Sequence, residues 1–537
     1  MTRPTLDEIR AAAKAYTLRK DISRVLREQG FKFPSKWLWT RLDWIKEQAI
    51  EAVAMELDAP QAPGVIESAD KHREWARGKT FVLTSAQSNT RVHRAFLRSL
   101  EHLCHHRDAE LHIAQYTYNK AKHGKLSIKP GSKADTAPLW FDPEITPYIS
   151  NTSLQLAPDL VWCGELNVLP TMKFPLTQFK TYTRQHSAIV PHAKMAMESV
   201  PVMPGIPAKM LYTTGAVTQR NYIQKTAGQV ADFHHVFGAM LVEVDDDGTW
   251  WARQINAKND GTFYDLTNYY TPDGVEEGQP VAAMTHGDIH WGQRDKDVLL
   301  AVFKNEGIVD ALQPQEQFFH DVIDFTARNH HEIKDGHYWH KMLVAGQEKV
   351  EDEFLQLSRW FDLIDRPWSN MFVITSNHDQ FMEHWLRDIS ALKDPTNVSY
   401  WHFLNWYCHQ TIHRGVEPRP FAYALLSKVN PKILPRFKIL HEDESHMICG
   451  SIEAGLHGHL GPNGARGNPK NLRTVGKANT AHTHSAGIVE GVYTCGVYGT
   501  LRMSYTKGLS SWSHSLIVTY ANAKRAILTI KNGKAWR

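Results

Sequence analysis

Apolar residues change their spacing twice along this chain, and the changes divide it. Between residue 5 and about residue 58 they recur every three to four positions, in LDEIRAAAKAYTLR, in DISRVLREQGF and, after a Pro34-Ser35 start signal, in WLWTRLDWIKEQAIEAVAMEL. That period places apolar side chains on one helical face and predicts three short helices. The stretch DAPQAPG near residue 60 reads as a linker. From Lys79 onward continuous apolar runs take over. KTFVLTSAQ and ELHIAQY read as buried strands on either side of the amphipathic NTRVHRAFLRSLEHLCHHRD, which together form a βαβ unit. LVWC, HSAIVPH, KMLYTTGAV, FGAMLVEV and WWARQINA are further strand candidates.

In the last part of the chain, PVAAMTHGDIH and FVITSNHD are hydrophobic strands that run straight into polar motifs. Helical stretches are expected at about 299–331, 345–364 and 380–428. The runs IVEGVYTCGVYG, SHSLIVTYA and RAILTIKNG are expected to close a second sheet, and no internal repeat shows in the residues. The expected fold class is α/β, with a helical region at 1–60, an α/β domain at 76–278 and a further sheet-and-helix domain at 279–537.

Composition narrows the functional classes. A hydrophobic share of 42% in 537 residues is enough to bury the cores of two or three domains. No apolar stretch approaches the roughly 20 residues needed to cross a bilayer, and MTRPTLDEIR starts polar, unlike a secretory signal. No membrane partner is expected. The five cysteines, at 104, 163, 408, 449 and 495, form no CxxC pair and fit a reducing cytoplasm. The net charge of +4 hides a polarity. Residues 461–537 carry eleven Lys or Arg against the single acid Glu490, and the first 50 residues are also basic, so the middle is acidic. Positive charge around the late motifs would attract a phosphate backbone. The basic N-terminal helices read either as a degenerate helix-turn-helix for DNA or as a packing or homo-oligomerisation bundle with Trp37, Trp39 and Trp44 in its core.

The candidate chemistry lies in five short motifs in order: HGDIHWG, HDVIDF, SNHD, GLHGH and AHTH. Two divalent cations about 3.5–4 Å apart can clamp a phosphate and activate water, which requires one shared anionic ligand. Asp288 and His290 are two apart, so at a strand end both can reach one ion. Asp321 and Asp324 form a DxxD pair, one to bridge ions and one free for another task. Asn377 offers a neutral oxygen, and its neighbour His378 can face substrate as a proton donor. His457, His482 and His484 supply nitrogen ligands, with His459 an alternative to His457. Alone, a DxH or an NHD is more often a turn or a helix cap; their ordered joint occurrence reverses that. His409 and His413 imitate a helical zinc pair, but Gln410 stands where the catalytic glutamate of a zinc protease would be. No GxxxxGK[ST] loop and no GxSxG elbow occurs.

This set resembles the calcineurin-like metallophosphoesterases, a superfamily with nuclease, protein phosphatase and cyclic phosphodiesterase branches, over roughly residues 280–500. The resemblance implies a β-sandwich flanked by helices, with Asp288, His290, Asp321 and His484 on a first metal and Asp321, Asn377, His457 and His482 on a second. His378 would be the general acid, oriented by Asp324. His320, Ser376 and Ala481 stand where that family has glycine, which implies altered loop geometry. TSAQSNTRVHRAFLRSLEHLCHHRDAELHI, IVPHAKMAMESVPVMPG and LYTTGAVTQRNY further resemble the early host-DNA-degrading proteins of tequintavirus-type phages. That likeness implies a manganese- or magnesium-dependent DNase in infected bacterial cytoplasm. Histidine-rich shells suit Mn2+ better than Mg2+, and Arg466, in a glycine-rich loop, is a candidate phosphate clamp. The alternatives are a two-metal phosphatase acting on phosphoproteins or small nucleotides, and a DNA-binding or assembly protein with an inactive centre.

Overall fold

The computed structural model describes residues 3–15, 19–36, 38–42, 75, 77–118, 140–329, 331–332, 334–388, 391–503 and 506–537. Two compact units, Met1–Lys71 and His72–Arg537, divide the chain. In the first, the helices Leu6–Ala15 and Arg19–Glu28 follow the expected period. Ile9, Ala12, Ile22, Leu26, Phe33 and Leu38 form their core. Trp39 is 43% exposed and is no part of that core. The rest of the expected third helix, Trp37 and Trp44, and the linker near residue 60 lie outside the described residues. No helix among the described residues is long and apolar enough to cross a membrane, and all five cysteines are free.

The second unit is mixed α/β. A six-stranded sheet runs in the order Phe437–Leu440, Asn370–Ile374, Glu316–His320, Ala283–Thr285, Ser515–Thr519, Arg525–Thr529. Its first four strands are parallel, and Ser515–Thr519, the first strand of the closing hairpin, runs antiparallel to them. Strand alternation sorts the side chains into two layers. Phe318, Phe372 and Ile374 pack on Ile448, Ile452 and Ala454 of a ten-stranded sheet, whereas Phe319, Met371 and Val373 pack on Val302, Phe354 and Phe361 from the covering helices. Two of the sequence expectations are corrected here. EQFFH at 316–320 is an interior parallel strand inside the stretch read as helical, because apolar residues facing both layers blur the two periods. SHSLIVTYA and RAILTIKNG extend the sheet of the motif strands instead of closing the second one.

The structure also shows an internal repeat that the residues conceal. Thr80–Gln87, the helix Arg94–Arg107 and the parallel strand Ala109–Tyr116 are completed by the hairpin Gly238–Val244/Trp250–Asn256, which returns antiparallel to the first strand. Ala283–Thr285, the helix Lys296–Phe303, Glu316–His320 and the hairpin Ser515–Thr519/Arg525–Thr529 repeat that topology. The ten-stranded sheet is likewise two halves of five. Ser153–Ala157, Leu160–Cys163, Ser187–Val190, Lys209–Thr213 and Met197–Val200 lie in the same order as Met447–Ile448, Ile452–Glu453, Ala478–Thr480, Val492–Thr494 and Gly487–Val489. In both halves the successive pairings are antiparallel, parallel, parallel and antiparallel. The halves meet where Met197 pairs with Ile488. These two are counterparts, facing Tyr212 and Tyr493 respectively. The sheet therefore spans the expected boundary at 278/279. The second copy alone, among the described residues, adds the strands Asn370–Ile374 and Phe437–Leu440.

Candidate metal centre

The parallel strands deliver the candidate ligands. Ala283–Thr285, Glu316–His320 and Asn370–Ile374 run side by side, so the loops after their C-terminal ends converge, as in open α/β sheets generally. Those loops carry Asp288 and His290, Asp321 and Asp324, and Asn377 and His378. The ten-stranded sheet brings in the remainder: His457 follows Ile452–Glu453, and His482 and His484 follow Ala478–Thr480. Gly287 is needed for close approach. A Cβ there would lie 2.9 Å from Tyr498 Cδ1 and 3.0 Å from the Ser515 carbonyl oxygen.

None of His320, Ser376 and Ala481, the residues that stand where the calcineurin-like family has glycine, has a positive φ. The left-handed backbone falls instead on His290, Asp321, His482 and His484, with φ of 46°, 42°, 69° and 56°. Non-glycine residues held there carry strain of the kind that clusters at functional sites. Asp379, which the sequence reading did not assign, shapes the turn at Ser376. Its Oδ2 accepts from the Ser376 N–H at 2.8 Å and from Ser376 Oγ at 3.1 Å, and it so orders the backbone before Asn377 and His378.

Side chains from the five motifs form three groups. Asp288, His290, Asp321 and His484 make one, Asp321, His457 and His482 a second, and His290, Asp324 and His378 a third, the ligand atoms within each group lying within 4.8 Å of one another. His290 Nε2 lies 2.9 Å from His484 Nε2, His484 Nε2 3.2 Å from Asp288 Oδ2, and His457 Nε2 3.3 Å from Asp321 Oδ2. Spacings near 3 Å are those of adjacent corners around an ion with bonds of about 2.1 Å. Buried Asp288 Oδ1, Asp321 Oδ1, Asn377 Oδ1, both His457 nitrogens and His484 Nδ1 have no hydrogen-bond partner. Orphaned polar atoms converging in this way suit metal ligation, because unsatisfied buried groups are otherwise costly.

Asp324 does more than the sequence reading assigned to it. Its Oδ1 is 2.6 Å from His290 Nδ1 and 3.5 Å from His378 Nδ1. The first bond fixes the His290 tautomer and leaves Nε2 to face the cluster, a common outer-sphere arrangement at metal sites. Electrostatics follow from the packing. Burial opposes the charge on Asp321, but His457, His378 and His290 hold its carboxyl well below the usual range. Burial also opposes the charge on His378, yet Asp321 and Asp324 push it up to about 9. His482 falls to about 4 through burial, with His457 adding to the effect, and His484 is also lowered by burial. Ionised carboxylates beside neutral imidazoles are the forms that bind cations.

His457 lies in the cluster, whereas His459 Nε2 is held by Glu442 Oε1 at 2.8 Å. Arg466 is exposed and lines a cleft of about 750 Å³ with Asp321, Asn377, His378, His484 and Trp512. The Trp512 ring, another residue the motifs did not indicate, stands 4.2 Å from that of His484. His409 and His413 are exposed on the helix Val398–His413 and belong to none of the three groups. Not all of the C-terminal positive charge is surface charge: Arg525 is buried and donates to Ala478 O, Asn479 Oδ1 and Gly491 O.

No family model matches the chain, and no solved structure matches it. It is 38% identical over 491 residues to the protein called Protein A1 of Escherichia phage T5, an alignment that covers 89% of this chain and 86% of that protein. With that identity over nearly its whole length, the chain belongs to the family of phage T5 Protein A1.

Proposed function

We propose that the protein is a two-metal phosphodiesterase of the calcineurin-like type that degrades DNA, acting in the cytoplasm of a phage-infected bacterium. The observation that carries this reading is the shared carboxylate. Asp321 belongs both to the group with Asp288, His290 and His484 and to the group with His457 and His482, as a pair of ions with one bridging ligand requires. Asn377, whose Oδ1 is buried without a partner, would complete the second set. Two divalent ions, Mn2+ foremost with Mg2+ second, would supply charge neutralisation on the phosphate and a water of lowered pKa.

The chain's own residues do the rest. His378 is held in its protonated form by Asp321 and Asp324 and borders the cleft, so it can give its proton to the departing sugar oxygen. Arg466 on the cleft rim is free to pair with a backbone phosphate. Membership in a phage protein family supports the setting. The test is a side-by-side assay of plasmid DNA, RNA, a chromogenic phosphodiester and an aryl monophosphate, with and without Mn2+. DNA cleavage that needs Mn2+ and is lost in a folded Asp321→Asn variant is expected. Faster turnover of the monophosphate than of DNA favours a phosphatase, and DNA binding by a protein that takes up no metal favours an inactive centre.

A further inference from the structure

Matching strand pairs put residues of the first copy on the metal-centre positions of the second. Ser85 bridges Ala216 as Asp288 bridges Val497. The next bonds match as well, Val217 N–H to Ser85 O at 2.8 Å and Tyr498 N–H to Asp288 O at 2.7 Å. Ser85 therefore stands in the place of Asp288. Ala188–Val190 pair with Leu211–Thr213 as Ala478–Thr480 pair with Val492–Thr494. That register sets His192 at the position of His482 and Lys194 at the position of His484. Thr80 pairs with Ala109 as Ala283 pairs with Glu316, a register that sets Ala114, which offers no ligand atom, at the position of Asp321. The segment after Leu160–Cys163, GELNVLP, has no histidine where GLHGH has two. Among the described residues, every group able to hold a metal lies in the second copy.

A closed polar cluster occupies the equivalent place. His192 is fully buried; its Nδ1 accepts from the Lys194 N–H at 3.0 Å, so Nε2 donates to Leu169 O at 3.2 Å. Lys194 Nζ donates to Lys173 O at 2.9 Å and pairs with Glu490 Oε1 at 2.9 Å. Glu490, the one acid in the basic C-terminal segment, belongs to the second copy, and its Oε2 lies 3.4 Å from Arg473 Nη1. The Phe174 ring, next to Lys173, receives Lys470 at 5.4 Å and Arg473 at 6.0 Å. Those two cations belong to the stretch that runs on from Arg466 through the helix Pro469–Leu472, of which residues 466–469 and Asn471 form one side of the cleft.

We propose that Lys194 of the first copy, standing in the place of the candidate ligand His484, braces the substrate-side loop 466–473 of the second copy through Glu490. Lys194 is thus a positioning residue. The role in substrate binding rests on the phosphodiesterase reading above; the brace itself does not. The test compares full-length wild type with Lys194→Met, Lys194→Arg and, because a buried charge is lost in the first, the surface variant Phe174→Ala. Expected are faster hydrogen exchange across 466–476 in Lys194→Met and Phe174→Ala, retained protection in Lys194→Arg, and unchanged Mn2+ per chain in all three. The KM for DNA is expected to rise several-fold while kcat and turnover of a small chromogenic diester hold. Unaltered exchange in both weakened variants, or loss of Mn2+ from Lys194→Met, overturns the brace. If wild type leaves DNA intact, the exchange and metal arms still decide it, and only the phosphodiesterase reading fails.

Discussion

Asp324→Asn is the substitution that separates an organised metal centre from a mere cluster of polar residues. The change is nearly isosteric and removes one buried charge that serves two histidines. The 2.6 Å bond to His290 Nδ1 joins side chains that are 0% and 7% exposed, so solvent does little to screen it. Outer-sphere carboxylates of this kind are worth about 10–100-fold in metal affinity, or roughly 1.4–2.7 kcal/mol. The same carboxylate shares with Asp321 and Asp379 the work of raising His378 from 6.5 to about 9, and its removal should return about one pH unit. Titration of the metal-free protein with Mn2+ by calorimetry reads the first effect. The alkaline limb of kcat/KM against pH reads the second, and is expected to move toward lower pH because the general acid gives up its proton earlier. A variant that binds Mn2+ like wild type, with an unmoved alkaline limb, refutes both assignments of Asp324.

Two shorter predictions test the histidines. His457→Ala is expected to lower the Mn2+ bound per chain, whereas His459→Ala, which loses the Glu442 hydrogen bond and ring packing on His457 and His482, should keep the wild-type amount; elemental analysis after desalting decides, and the reverse pattern removes His457 from the ligand set. In EDTA, stability should depend on pH through His378. Its folded pKa of about 9 lies above the unfolded 6.5, so its contribution is complete below about pH 6.5 and is lost as pH rises through about 9, amounting to at most about 3 kcal/mol. His457 is raised in the same sense. A melting temperature of the metal-free protein that stays flat from pH 6.5 to 9.5 contradicts this, as does a slope that is undiminished in His378→Gln.

The candidate ligands were legible because their chemistry is local. Asp288 with His290, Asp321 with Asp324, Asn377 with His378 and His482 with His484 each sit within one loop, and few residue types bind cations. Strands such as FVITSNHD and FGAMLVEV were legible for the same reason, since burial on both faces selects continuous apolar runs. The hold of Glu442 on His459, the double duty of Asp324 and the left-handed backbone at four of the candidate ligands came only from packing. Each depends on what a distant segment brings to that point: Glu442 for His459, His290 for Asp324.

The duplication is the clearest case of what tertiary structure alone decided. Its copies share almost no chemistry, Tyr212-Thr-Thr-Gly215 against Tyr493-Thr-Cys-Gly496 being the plainest echo. Their sameness lies in the order and direction of strand pairing. Pairing is made by backbone hydrogen bonds and alternating burial, which many side chains satisfy equally well, so a topology can persist after its residues have diverged. A cation ligand cannot be exchanged that freely, and for that reason the residues by themselves announced one copy's candidate metal centre while the other copy became visible only once the chain was folded.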